Sequence, residues 1–455
     1  MLKQLMRSVV IGGVVGINLI GCTLGPDFEM DAAFESDQIA LPEAPLEAVT
    51  LPTWQQIYRD PHLQILIGKA LENNYDLKIA QAKIIESMYT NHMAKASLWP
   101  DLGLESTLER SGNPASTANN VELNAVIGWE LDFFGKAQRT REASLAQYGA
   151  VKQARQAIEL SLIARVAEQF FDLKGIEEEL SISQSTIRIR AKELDLARLR
   201  KNAGVISGLE QRQAEVELES AKVNVPRLKL AKRQALNNLT LLVGSNITQV
   251  SGGNSLSTQY IPTQLTDSIS SHLLIRRPDV QKAKLEWHAA TAQVGVAEAG
   301  LWPDFSLTSE FGGQSDTLSD IVSRNAFNWQ FGLDIAAPIF NAGKNSANLS
   351  AAEQRAYQAK LNYERSVLSA LHDVSNSLAA FESSQTIFSA QRSLVYSSQE
   401  YLRLAQLRYR NGVASSLDLM DAQRQLFSAQ IGLVKAKNEQ LNSLTYLYKA
   451  LGGGY

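Results

Sequence analysis

Four short stretches of this chain alternate between apolar and polar residues. After Pro100, Leu102, Leu104 and Leu108 alternate with Gly103, Glu105, Thr107 and Glu109. From Asn124, the set Ala125, Ile127, Trp129 and Leu131 alternates with Gly128, Glu130 and Asp132, Val126 being the exception. Farther on, Phe305, Leu307 and Phe311 alternate with Ser306, Thr308 and Glu310. Then Phe327, Trp329, Phe331, Leu333 and Ile335 alternate with Asn328, Gln330, Gly332 and Asp334. A period of two is the strand pattern. It predicts two strand pairs of about 8–11 residues per strand, a length that crosses a bilayer at a tilt. Polar loops are expected at residues 110–120 and 312–320. Two arrangements fit: hairpins covering a soluble core, or the wall of a membrane barrel, lipid-facing on one side and water-facing on the other.

Between and after these stretches the pattern changes to a period of seven. Val166, Leu173, Leu180, Ile187 and Leu194 form one series; Val367, Val374, Phe381, Phe388, Val395, Leu402 and Tyr409 form another. Sustained heptads predict helices that supercoil against neighbours. No proline interrupts residues 135–201 or 344–410, and an uninterrupted helix of that length runs roughly 100 Å. Each is expected to end at a glycine able to adopt the left-handed conformation, Gly204 or Gly412. Ser207-x-x-Glu210 and Ser415-x-x-Asp418 are capping-box patterns that restart a helix, returning to about residue 243 or 450.

The same order of elements occurs twice, and so do the words. Leu98-Trp99-Pro100-Asp101 returns as Leu301-Trp302-Pro303-Asp304, an offset of 301 − 98 = 203. Asp76 and Asp279 share it. Gly204 and Gly412, like Ser207 and Ser415, are 208 apart. The extra residues lie around the stretch beginning at Asp334, which stands against a shorter one beginning at Asp132. The expected organisation is a first repeat over 62–243, a linker over 244–264, and a second repeat with a C-terminal equatorial segment over 265–455. Pro ends each leading helix, and Trp suits a membrane interface, so Trp99 and Trp302 are expected where helix gives way to membrane strand.

Charge and cysteine content add an address. The net charge of −3 offers no footprint for nucleic acid. The chain opens with Lys3 and Arg7, an apolar run over 9–20, and Leu19-Ile20-Gly21-Cys22. That is a secretory signal with a run too short to span a membrane. The tetrapeptide resembles the bacterial lipoprotein box, which predicts removal of residues 1–21 and acylation, including palmitate, on Cys22. Residues 22–61 then form a lipid-anchored lead-in. Loss of Lys3 and Arg7 would make the mature charge −3 − 2 = −5.

The stretches beginning at Trp54, at Arg276 (Arg-Arg-Pro-Asp-Val), at Ala297 and at Arg408 resemble the TolC-like outer membrane factors, in their lipoprotein branch. The likeness covers nearly the whole mature chain. It implies a mainly α protein with a transmembrane β-barrel: a homotrimer with twelve strands in the Gram-negative outer membrane, four from each chain, above an α-helical barrel in the periplasm. The implied function is the exit duct of a tripartite efflux system for drugs or other solutes. Its implied partners are outer-membrane lipid, a periplasmic adaptor (membrane fusion) protein and an inner-membrane pump of the resistance-nodulation-division type. By the same resemblance Leu417, Asp418, Asp421 and Arg424 map to the periplasmic aperture, with acidic rings at Asp418 and Asp421 and a latch partner at Arg424. Gly204, Val205, Gly412 and Val413 map to adaptor-contacting tips. The first hairpin has Ala214 where a second acid would stand. Asp418 reads equally as a cap residue. No hydrolase, zinc-protease or phosphate-loop motif occurs, so neither an enzyme nor a cofactor or metal site is expected. The alternative is a structural coiled-coil lipoprotein without channel activity, which would have no use for paired amphipathic strands.

Overall fold

A computed structural model of the chain describes residues 23–29, 52–246, 253–261 and 275–454. Cys22, the signal and much of the lead-in and linker lie outside the described residues. The elements are α1 (Trp54–Ile57), α2 (Pro61–Asn73), α3 (Tyr75–Ala96), β1 (Asp101–Asn113), β2 (Ser116–Leu131), α4 (Lys136–Asn202), α5 (Gly208–Val243), a 3-10 turn (Leu256–Thr258), α6 (Pro278–Ala299), β3 (Asp304–Ser315), β4 (Phe327–Ala336), α7 (Lys344–Arg410) and α8 (Ser416–Ala450). Both α4 and α7 are unbroken helices of 67 residues. The leading helix expected over 62–98 is instead two helices, α2 and α3. Asn74 separates them in an extended conformation, its Oδ1 capping α3 by accepting from the Asp76 and Leu77 amides.

The chain divides into two compact units. Among the described residues the first contains 23–29, Ile84–Val151 and Lys282–Tyr363, and its centre is a four-stranded antiparallel sheet in the order β1-β2-β3-β4. Directly paired residues share a face. Leu104 pairs with Ala125, which pairs with Phe311, which pairs with Trp329. Leu102, Ile127, Ser309 and Phe331 make the neighbouring row. The opposite face carries Gly103, Val126, Glu310 and Gln330 in one row and Glu105, Asn124, Gly312 and Asn328 in the next. Among the described residues, β1 and β4 each pair on one side only.

The strands are longer than the alternation implies: β1, β2 and β3 contain 13, 16 and 12 residues. Most of the expected loop over 110–120 is ladder, closed by a tight turn in which Asn113 Oδ1 accepts from the Ala115 and Ser116 amides. The physical reason is simple. Backbone pairing continues past the apolar band, where both faces are polar and the period-two signal vanishes.

Residues 23–29 lie in this unit as a strap. Buried Arg139 donates from Nε to the Leu24 carbonyl at 3.0 Å and from Nη2 to Gly25 O at 3.1 Å and Asp27 Oδ1 at 2.8 Å. Glycines permit the close approach. A Cβ on Gly25 would meet the Gly295 Cα at 2.3 Å, and Gly25 has φ +87°. Phe28 stacks on His288 with ring centroids 4.5 Å apart.

The second unit contains, among the described residues, 52–83, 152–246, 253–261, 275–281 and 364–454. Its core includes Ile57, Leu63, Ile67, Phe170, Leu173, Leu239, Leu441 and Tyr448. The heptad series point inward: Val166, Leu173, Leu194, Val367, Val374, Phe381 and Val395 are buried, and the remaining members are half-buried. Helix α5 runs through Pro226 without ending. The Arg-Arg-Pro-Asp-Val stretch also acquires a role here. Buried Arg277 donates to Asp279 at 2.7 Å, to Asp373 at 3.0 Å and to the Ala450 carbonyl at 2.9 Å, tying α6, α7 and the end of α8 together.

Asp60 is the other polar hub. Its buried carboxylate caps α2 through the His62 and Leu63 amides and accepts from Asn254 N at 2.9 Å and Gln259 Nε2 at 2.8 Å. Burial pushes its pKa up, but these hydrogen bonds outweigh burial and hold it below the usual carboxylate range. Asp60→Ala removes a cap and orphans buried donors, a loss of about 2–4 kcal/mol. The thermal midpoint in detergent is expected to fall by several degrees at neutral pH. Because the folded pKa is depressed, the contribution is complete above the unfolded carboxylate pKa and fades as pH falls through the lower folded value. An equal gap between wild type and variant at neutral pH and well below that value would refute this assignment.

Candidate functional site at the hairpin ends

In the second unit, α4–α5 and α7–α8 form two helical hairpins whose turns are built alike. Gly204 and Gly412 both have φ +72°. The Val205 amide donates to Arg200 O and the Gly204 amide to Lys201 O, each at 2.9 Å; Val413 donates to Arg408 O at 2.9 Å and Gly412 to Tyr409 O at 3.1 Å. This paired closure requires a left-handed residue, which glycine adopts without steric cost. Val205 and Val413 are exposed beside these turns. A Cβ at either glycine would meet no neighbour, so its backbone angle alone disfavours other residues.

Each return helix then starts on a serine. Ser207 Oγ accepts from the Glu210 amide, with no reciprocal bond described. Ser415 and Asp418 form the complete capping box: the Asp418 amide donates to Ser415 Oγ, and Asp418 Oδ2 accepts from Ser415 N at 2.9 Å. Hydrogen bonds from the Ser415 hydroxyl and amide hold the Asp418 carboxyl below its ordinary range. The cap reading of Asp418 is therefore realised in the structure. Leu417, on the first turn of α8, is 56% exposed.

Asp421 and Arg424 lie one turn farther along α8. Arg424 Nη2 donates to Asp421 Oδ1 at 2.8 Å, and the Tyr401 hydroxyl donates to Asp421 Oδ2 at 3.4 Å. Arg424 Nη1 also reaches Glu217 Oε1 on α5 at 3.4 Å. Glu217 in turn pairs through Oε2 with buried Arg190 of α4 at 2.9 Å. Beside this chain, Gln423 Nε2 donates to Glu193 Oε1, whose pKa burial raises. A polar chain thus runs from α4 through α5 to α8 and α7. Glu217, Arg190 and Glu193 are absent from the sequence reading. Their importance is tertiary, and the acids at 210, 215, 217 and 219 are indistinguishable by spacing. Ala214 is buried with Leu194 and Leu218; at the offset of 208 it is the counterpart of Ala422, which is buried too, and the position of Asp421 is held in the first hairpin by Gln213, which also carries no charge.

The sheet supplies the other functional surface. Its apolar face leaves Leu102, Leu104, Trp329, Phe331 and Leu333 exposed, and its polar face carries Glu105, Glu122, Glu310 and Asp334. Trp302 stacks on Phe134, whereas Trp99 is 70% exposed.

A two-faced antiparallel sheet and paired long helical hairpins in one chain are the elements of an outer-membrane channel protein. The chain belongs to the outer membrane efflux protein family, which matches residues 66–245 and 269–453. It is 32% identical to the probable efflux pump outer membrane protein TtgC of Pseudomonas putida, over 100% of this chain and 96% of the relative. It is 30% identical to the probable outer membrane lipoprotein SilC of Salmonella typhimurium, over 96% of both. Among solved structures, the open state of the MtrE outer membrane channel of Neisseria gonorrhoeae aligns with a TM-score of 0.86 and 33% identity. That alignment covers 95% of this chain and 98% of that one. The protein is an outer-membrane component of an efflux system.

Proposed function

We propose that three copies close edge to edge, β4 of one on β1 of the next, into a twelve-stranded barrel that vents solutes delivered by an inner-membrane pump through a periplasmic adaptor. The observation that carries this reading is the sheet: one face apolar, one polar, with two unpaired edges among the described residues. Such edges are satisfied in a membrane only by closure. Four strands are too few for a barrel of this kind. The repeated element order supports descent from a duplicated unit, each copy contributing two strands and one hairpin.

The hairpin turns at Gly204-Val205 and Gly412-Val413 are the adaptor surface in this reading, because they are small and low. Leu417 closes the aperture sterically, and the Asp421–Arg424–Glu217 chain holds the second hairpin against the first. Asp418 serves the cap and, by threefold repetition, an acidic ring beside that of Asp421. Cys22 anchors the mature N-terminus to lipid; an unacylated Cys22 in the mass spectrum of the mature N-terminal peptide would refute the anchor.

Recording in planar bilayers tests the duct. Purified protein is expected to give discrete ion-conducting steps, and more of them when the aperture is opened by Asp421→Ala with Arg424→Ala. Silence of both proteins after demonstrated insertion would instead favour a structural lipoprotein.

A further inference from the structure

The two junctions between strand and helix at the end of the sheet are unequally finished. Antiparallel pairing brings four segments to that end: residues before β1, after β2, before β3 and after β4. Leu131 pairs with Phe305, and Asp304 with Ala336. At the inner junction the aromatics after β2 meet those before β3. Phe134 stacks on Trp302, with centroids 5.2 Å apart and planes at 29°, and Phe133 meets Phe305 edge-on at 4.8 Å.

The outer segments carry the same residue types, with no ring partner among the described residues. Trp99 before β1 is the counterpart of Trp302 at the offset of 203, and Leu102 is the counterpart of Phe305. After β4 come Ile339 and Phe340, 96% and 90% exposed. Like Phe133 and Phe134, they precede a left-handed glycine and a lysine that opens the long helix: Gly135 has φ +75° and Gly343 φ +83°. The second loop is longer, and its Ala342 has φ +51°, an uncommon conformation for a residue with a Cβ. Backbone of that kind persists where surroundings fix it, yet the side chains it presents touch little of their own chain.

We propose that Phe340 of one protomer stacks on Trp99 of the next copy, with Ile339 against that copy's Leu102, reproducing between chains the Phe134–Trp302 contact within one. The proposal rests on edge-to-edge closure. If β4 pairs with the neighbour's β1 as β2 pairs with β3, the end of β4 arrives beside the start of that β1. The occupant is a second copy because the missing partner of each residue is the other residue type, displayed on the opposite free edge. Trp99 is then an interface residue between protomers, buried on assembly, and Trp302 its intrachain equivalent.

Trp99→Cys with Phe340→Cys tests this in the full chain, using a short bismaleimide on the detergent-solubilised protein. Covalent dimers and trimers on a denaturing gel are expected for the double variant and for neither single variant. The single variants also control for Cys22, the only native cysteine. A trimer by native mass spectrometry without the covalent ladder would overturn the contact while leaving closure standing. A monomeric wild type would overturn closure itself. A double-mutant cycle with Trp99→Ala and Phe340→Ala guards against poor folding of the cysteine variants. Each alanine is expected to weaken trimer association roughly two- to tenfold per interface, from the worth of an aromatic pair. The double variant should be no weaker than the worse single. Fully additive losses would mean that the two residues act separately, as lipid-facing anchors, and would refute the proposal.

Discussion

Phe331→Arg is expected to abolish accumulation of the assembled protein in the outer membrane, whereas Gln330→Arg, one residue away, leaves it intact. The two side chains lie on opposite faces of β4. Phe331 is exposed in the apolar row with Leu102 and Ile127, and Gln330 is paired with Glu310 in the polar row. An arginine on a lipid face costs about 2–4 kcal/mol near the bilayer midplane, and the proposed trimer would repeat that charge three times. On the water face the same residue finds Glu310. Outer-membrane fractionation with a heat-modifiability gel reads the result. Equal tolerance of the two substitutions would mean that neither face meets lipid.

The second large effect is expected at the proposed aperture. Asp421→Ala with Arg424→Ala removes the contacts of Arg424 with Asp421 and with Glu217, and that of Tyr401 with Asp421. Each exposed pair is worth about 1 kcal/mol or less. Repeated in each chain of the proposed trimer, these losses are enough to raise resting single-channel conductance on the order of tenfold, by an allosteric balance of a few kcal/mol. Glu217→Gln, which leaves Asp421 and Arg424 paired, is expected to fall between wild type and the double variant. Asp421→Ala alone should also weaken block by divalent cations added from the periplasmic side, since it removes one carboxylate per chain. Wild-type conductance and block in all three variants would place the gate elsewhere.

The helices were legible because their signals are local. Gly343, Lys344 and Gly412 bracket α7, and its heptads extend almost to Arg410. The serine caps and the left-handed turns follow from residue type alone. Strand ends were less legible: residues 110–113 and 116–120 are paired although neither face there is apolar, so no alternation marks them. Asn74 also escaped notice, because a cap between two helices resembles one longer amphipathic run. At the candidate site, Asp421 and Arg424 came from resemblance, and their three-residue spacing fits the contact observed. Glu217 and Arg190 became visible only when α4, α5 and α8 were placed together. The same is true of Asp60, whose partners Asn254 and Gln259 are nearly two hundred residues away along the chain.

That separation along the chain has a kinetic consequence in the sheet. The β2–β3 ladder joins Leu131 to Phe305 and Val121 to Ser315, separations of 305 − 131 = 174 and 315 − 121 = 194 residues. The β1 and β2 hairpin closes through a turn of two residues and can form as soon as it emerges from the secretion machinery. The middle of the sheet must wait for β3, which begins 304 − 131 = 173 residues after β2 ends. Loop closure over such distances makes non-local pairing slow, and the apolar face of the first hairpin stays uncovered during the wait. An apolar strand pair left uncovered while distant pairing is completed is the kind of surface through which aggregation competes with assembly.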